Sequence, residues 1–164
     1  MPPHREPVYL RVMTFWRPPS HIRIKALGLN WRDGRLLAAE VYDDAGRVKG
    51  VRPLGGSVEF GETSAEAVRR EFREELGIDV ALVGAPLYVE NIYQHEGALG
   101  HEVLILFDVL FPEGAFEGQD CVRFQEDNGA EGLARWFALD ELDVEGGPDL
   151  YPAGLKNRLL AANV

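Results

Sequence analysis

The chain has 164 residues, 46% of them hydrophobic, which suits one domain with an ordinary buried core. Its net charge of −10 makes the surface repel nucleic-acid backbones and anionic membranes, so neither is expected as a partner. A small polyphosphate stays admissible, provided that a divalent cation bridges the two acidic parties.

The opening residues Met1–Pro7 are polar and Pro-rich, with no apolar stretch of signal-peptide type. No run approaches the roughly 20 apolar residues of a membrane helix. A cytoplasmic protein is therefore expected. Residues 1–20 read as an N-terminal extension with one strand-like run, Val8–Met13, ended by Pro18-Pro19. A single domain is expected over 21–164. His21–Trp31 reads as a strand, with Ile22, Ile24 and Ala26 alternating against Arg23 and Lys25. Asp33-Gly34 signals a hairpin into Arg35–Tyr42. Asp43–Gly46 makes the next turn, and Val48–Leu54 a third strand.

The strong helix is Thr63–Leu76. Thr63 and Glu66 form a capping box, and Gly77 stands where a left-handed C-terminal residue is wanted. Two apolar strands follow, Val80–Tyr93, broken near Pro86, and His101–Phe111. Residues 112–131 read as a polar, Gly-rich loop and Ala134–Ala138 as a short strand. Leu150–Ala161 reads as a closing helix with Leu155, Leu159 and Leu160 inward. This order indicates an α/β domain with a mixed sheet. Cys121 is the only cysteine, which excludes an internal disulfide and a cysteine-based zinc site, and it reads as a bystander thiol.

The chemistry concentrates in residues 55–78, GGSVEFGETSAEAVRREFREELGI. At 100° per residue, Ala65, Val68, Phe72 and Leu76 fall within a stripe about 80° wide. Glu75 lies about 20° from its edge, Glu71 about 60°, and Glu74 further round. Like charges beside a core disfavour one another's ionisation, and those four apart repel. A bound cation removes that cost, and oxygen ligands suit magnesium or manganese rather than zinc. Taken alone, the same acids also fit a solvated helix face.

The order Gly56, five residues, Glu62, seven residues, Arg70-Glu71-Phe72, one residue, Glu74-Glu75, one residue, Gly77-Ile78 resembles the Nudix box at every defining position. Seven fixed positions match by chance about once in 10⁸ starts. The resemblance implies a Nudix-type α/β/α sandwich in which the box forms a loop–helix–loop on a mixed sheet. It implies metal-dependent hydrolysis of a phosphoanhydride bond, with Glu71, Glu74, Glu75 and the Gly56 carbonyl as ligands to Mg²⁺ or Mn²⁺. Arg70 and Glu62 match the family's orienting pair. The plain alternative makes Arg70 a surface partner of Glu74. Glu71 is the first choice as base, or as ligand to the attacking water.

Arg23, Lys25 and Arg52 are candidates to bind phosphate, and each also fits a surface charge. Glu126, Asp127 and Glu131 are candidates for a further carboxylate beyond the box. His95, Glu96, His101 and Glu102 bracket the turn between two strands and can supply a pocket residue. Trp16, Trp31, Tyr88 and Tyr93 can stack on a base or simply pack. Family substrates include nucleoside triphosphates, nucleotide sugars, ADP-ribose, dinucleoside polyphosphates and coenzymes, and the box does not choose among them. No Pro stands at the downstream spacing of ADP-ribose hydrolases. Tyr93 falls near a tyrosine of dinucleoside polyphosphate hydrolases. The competing readings are a catalytically inactive nucleotide-sensing domain, which predicts an eroded box, and an isoprenyl diphosphate isomerase, which needs a pocket cysteine. The partner is then a small nucleotide, and a homodimer is allowed.

Overall fold

The structure, a computed structural model, describes residues 15–162, so the strand-like run Val8–Met13 lies outside the described residues. In chain order the strands are β1 Ile22–Leu29, β2 Trp31–Arg32, β3 Arg35–Tyr42, β4 Val48–Arg52 and β5 Leu54–Ser57. Helix α1, Ser64–Leu76, is followed by β6 Ala81–His95, β7 Ala98–Leu110, β8 Cys121–Gln125, β9 Glu131–Ala138, β10 Asp149–Leu150 and α2 Leu155–Ala162. No helix among the described residues is long and apolar enough to cross a membrane.

The strands form two mixed sheets. One runs β5-β1-β7-β6, with β1 parallel to β7. The other runs β10-β4-β3-β9-β8, with β2 beside β3. Successive residues of β1 and β3 point to opposite faces, as strand geometry requires. Ala26, Leu37 and Ala39 join a core with Val68 and Phe72 of α1. Leu27, Leu36 and Ala38 join a second core with Leu155 and Leu159 of α2. Sheets lie between helices, as expected for an α/β/α sandwich.

Several boundaries differ from the sequence expectation. Asn30 splits the first strand, because its side chain turns inward to donate to Val109 O at 3.3 Å and accept from Trp136 Nε1 at 3.1 Å. Pro53, which has no N–H for a ladder, splits the third strand, and β4 and β5 lie in different sheets. The two apolar strands extend into one long hairpin closed by Glu96 and Gly97, both at positive φ, 49° and 79°. A register shift between Val83 and Leu87 marks the break near Pro86. The polar loop contains β8, whose Val122 and Phe124 are buried on one face. Leu150 belongs to β10, and Leu160 is exposed rather than inward.

Candidate functional site

Helix α1 begins as expected. Thr63 Oγ1 accepts from the Glu66 N–H at 3.1 Å, the Glu66 carboxylate accepts from the Thr63 N–H at 2.8 Å, and Gly77 closes the helix at φ 67°. Its buried side differs from the expected stripe. Ala67, Val68, Glu71 and Phe72 are the buried residues, while Ala65 and Leu76 are half-buried. The seam is turned by about 70° toward Glu71. Small Ala67 permits this, because it lets the helix settle against β5 and β1. Glu71, rather than Glu75, is therefore the most buried box acid, at 2% exposure.

Glu71 is built into the fold. A Cβ on Gly56 would lie 2.3 Å from Glu71 Oε1 and 2.4 Å from its carboxyl carbon, so only glycine leaves room for this carboxylate. Arg70 Nη1 donates to Glu71 Oε1 at 3.0 Å and to Glu74 Oε2 at 3.2 Å. The same guanidinium donates to Glu62 Oε1 at 2.7 Å and to Ser57 O at 3.0 Å. The two readings of Arg70 thus coexist, with the Glu62 pair the shorter. Arg70 holds Glu62 below the usual carboxylate range.

Carboxylate oxygens of Glu71, Glu74 and Asp127 lie within 4.8 Å of one another. Of the three loop acids expected from sequence, Asp127 joins the box. Glu126 lies 4.0 Å from Arg52, and Glu131 pairs with Arg123 at 2.7 Å on the surface. Glu71 Oε2 and Glu75 Oε2 are sealed from water with no hydrogen-bond partner among the described residues. Burial, and next the Glu71 charge, push the Glu75 carboxyl up to about 8. Burial, with Asp127 second, raises Glu71 as well. The all-oxygen set of Glu71, Glu74 and Asp127, with an orphaned buried oxygen on Glu71, fits a hard divalent cation.

Gly56 and Glu75 open onto a cavity of about 630 Å³. Lys25, Arg23, Arg52 and Tyr93 all line it, as do His95 and Glu102, whereas Glu96 and His101 do not. Arg23 Nη2 donates to Glu102 Oε1 at 2.5 Å and to the Tyr93 hydroxyl at 3.1 Å. Lys25 is buried, with Nζ 3.8 Å from the same Glu102 oxygen. Burial, and then the nearby Arg52, lower its ammonium to about 7. One cavity therefore joins an acidic end to a cationic middle. Trp16, from the segment read as an extension, also lines it, while Trp31 and Tyr88 do not. Lys49, Asn91 and Tyr151 line it too. Sequence reasoning missed these three, because β4, β6 and the bend after β10 are brought to one cavity only by the tertiary fold. Cys121 is exposed on β8 and lies outside this cavity, which removes the support an isomerase would need.

A family model described as NUDIX domain matches residues 20–155. Among solved structures, the chain is similar to a MutT NUDIX hydrolase from Burkholderia pseudomallei, with 25% identity and a TM-score of 0.52, over 85% of this chain and 98% of that one. The ORF135 protein of E. coli is 22% identical with a TM-score of 0.54, over 87% and 91%. The MutT protein of Methanosarcina mazei Go1 is 20% identical with a TM-score of 0.53, over 92% and 99%. No curated protein matches the chain in sequence.

Proposed function

The chain belongs to the Nudix family, and from that premise we propose that it hydrolyses a phosphoanhydride bond in a nucleoside diphosphate linked to another group, with Mg²⁺ or Mn²⁺ bound. The observation that carries this reading is the pair of orphaned buried oxygens on Glu71 and Glu75, the latter residue lining a cavity together with Lys25, Arg23 and Arg52.

Glu71, Glu74 and Asp127 would hold the cation, with Glu75 and the Gly56 carbonyl beside them. When bound, a divalent cation supplies neutralisation of phosphate charge and Lewis acidity. Arg70, braced by Glu62, fixes the rotamers of Glu71 and Glu74 so that their oxygens converge. Glu75 is the box carboxylate that lines the cavity, so its side chain borders the space in which an attacking water would be held. Glu71, buried under Gly56 and hydrogen-bonded to Arg70, is held where it would serve as base or as ligand to that water. Lys25, Arg52 and Arg23 face the remaining phosphate charge as it develops on the leaving group. An inactive nucleotide sensor draws no support here, since each box carboxylate is present and oriented.

The test is product analysis by ³¹P NMR over a panel of nucleoside triphosphates, nucleotide sugars, ADP-ribose and dinucleoside polyphosphates. Release of a nucleoside monophosphate with magnesium, abolished by excess EDTA, is expected. Full turnover in EDTA, or none on any panel member with magnesium or manganese, would overturn the proposal.

A further inference from the structure

Trp16 precedes the residues that the family model matches, yet it forms a wall of the cavity. Its indole meets the His95 ring edge-on, with centroids 5.3 Å apart at 61°. The Arg23 guanidinium lies 5.4 Å from the indole centroid, a cation–π distance. The segment is anchored. Arg17 donates to both carboxylate oxygens of Asp44, at 2.9 Å and 2.5 Å, and Pro18 is buried.

His95 is buried, with Nδ1 3.1 Å from Lys49 Nζ. An ammonium only donates, so Nδ1 is the acceptor and the ring proton sits on Nε2. Burial, and then Lys49, hold this imidazole below its usual range, which keeps the support neutral. Trp16 is nonetheless 50% exposed, so its ring is held by neighbours yet leaves a large area free. Ala26 pairs with Gly56, and Arg23 stands three residues earlier on β1, about 10 Å along the strand. Trp16 therefore sits at the end of the cavity away from the carboxylates, beyond its cationic middle.

Resting on the function proposed above, we propose that the nucleobase of the substrate stacks on Trp16, so that residues ahead of the catalytic domain supply the base subsite. The ligand class is a flat, uncharged heteroaromatic ring joined through a sugar to the diphosphate. Stacking on the exposed part of the indole accepts any of the bases, and hydrogen bonds along the cavity wall would then select among them.

The experiment is calorimetric binding, with magnesium, of the α,β-methylene diphosphates of adenosine, guanosine, cytidine and uridine, beside base-free methylene diphosphonate. Trp16→Ala is expected to weaken the tightest nucleoside probe by about tenfold or more, Trp16→Phe to restore most of that loss, and the diphosphonate to bind all three proteins alike. Nucleoside probes should also quench indole emission in the wild type, and Trp16→Phe should lose that change. Unchanged nucleoside affinity in Trp16→Ala overturns the base subsite while leaving the hydrolase reading standing. Equal weakening of the diphosphonate overturns it too. Failure of every probe, diphosphonate included, to bind the wild type would overturn both.

Discussion

Without metal, Glu75 carries a penalty that glutamine would not. Burial and the Glu71 charge raise its carboxyl from 4.5 to about 8 in the folded protein. Between those values the native state binds the proton more tightly than the unfolded chain does. Stability therefore falls as pH rises through that window, and the penalty is absent below about 4.5 and complete above about 8. At 1.36 kcal/mol per pH unit the ceiling is roughly 5 kcal/mol. The side chain is only partly buried, and water and local relaxation screen it, so about 1–2 kcal/mol should survive. For a chain of this length that is about 3–6 °C in Tm. Glu75→Gln in excess EDTA should melt higher than wild type by that margin near pH 8.5, with the curves converging as pH approaches 5, by differential scanning calorimetry. With magnesium the order should reverse, because a cation that binds only the native state stabilises the wild type more. An equal or lower Tm for the folded variant near pH 8.5, or a gain that does not vary with pH, would refute the reasoning.

Gly56→Ala puts a methyl group against the Glu71 carboxylate and should cost about 1–3 kcal/mol while weakening Mn²⁺ binding by electron paramagnetic resonance; normal Mn²⁺ affinity would show that the cradle is not part of the cation site. Arg70→Ala removes the donor from buried Glu71 and should cost about 3 kcal/mol in urea unfolding, with Arg70→Lys recovering little, since an ammonium lacks the planar fork that reaches Glu62 and Glu71 together. A loss under about 1 kcal/mol would place Arg70 among ordinary surface ion pairs. Affinity for a non-hydrolysable nucleotide should fall more steeply on magnesium withdrawal than across a monovalent salt series, which screens only exposed charges. Equal affinity with and without magnesium would mean that Lys25, Arg23 and Arg52 carry the phosphates unaided.

The parts that were legible in the sequence are those fixed locally. Thr63, Glu66 and Gly77 mark the ends of α1 through caps that involve only near neighbours, and the spacing from Gly56 to Ile78 carries the family. The side of the helix that is buried was not local. Counting Ala65 but not Ala67 as core aimed the seam away from Glu71, and only the contact with β5 and β1 corrects it. The choice among Glu126, Asp127 and Glu131 was equally closed to periodicity, because it depends on where the β8–β9 hairpin turns. β8 itself hid in polar surroundings, its apolar signal reduced to Val122 and Phe124. Trp16 was visible as an aromatic but not as a cavity wall, since Arg17 and Asp44, which fix it, stand 27 residues apart.

Pro53 gives the chain a corner rather than a connection. Arg52 belongs to one sheet and Leu54 to the other, with only Pro53 between them. The polypeptide there works like a rivet through two plates, and Gly56 sits three residues past it. Sliding or parting of the sheets would be delivered to the Glu71 cradle over a lever only a few residues long. The two layers should therefore unfasten together, and amide exchange at Val51 and Gly56 should slow in step when a cation is bound.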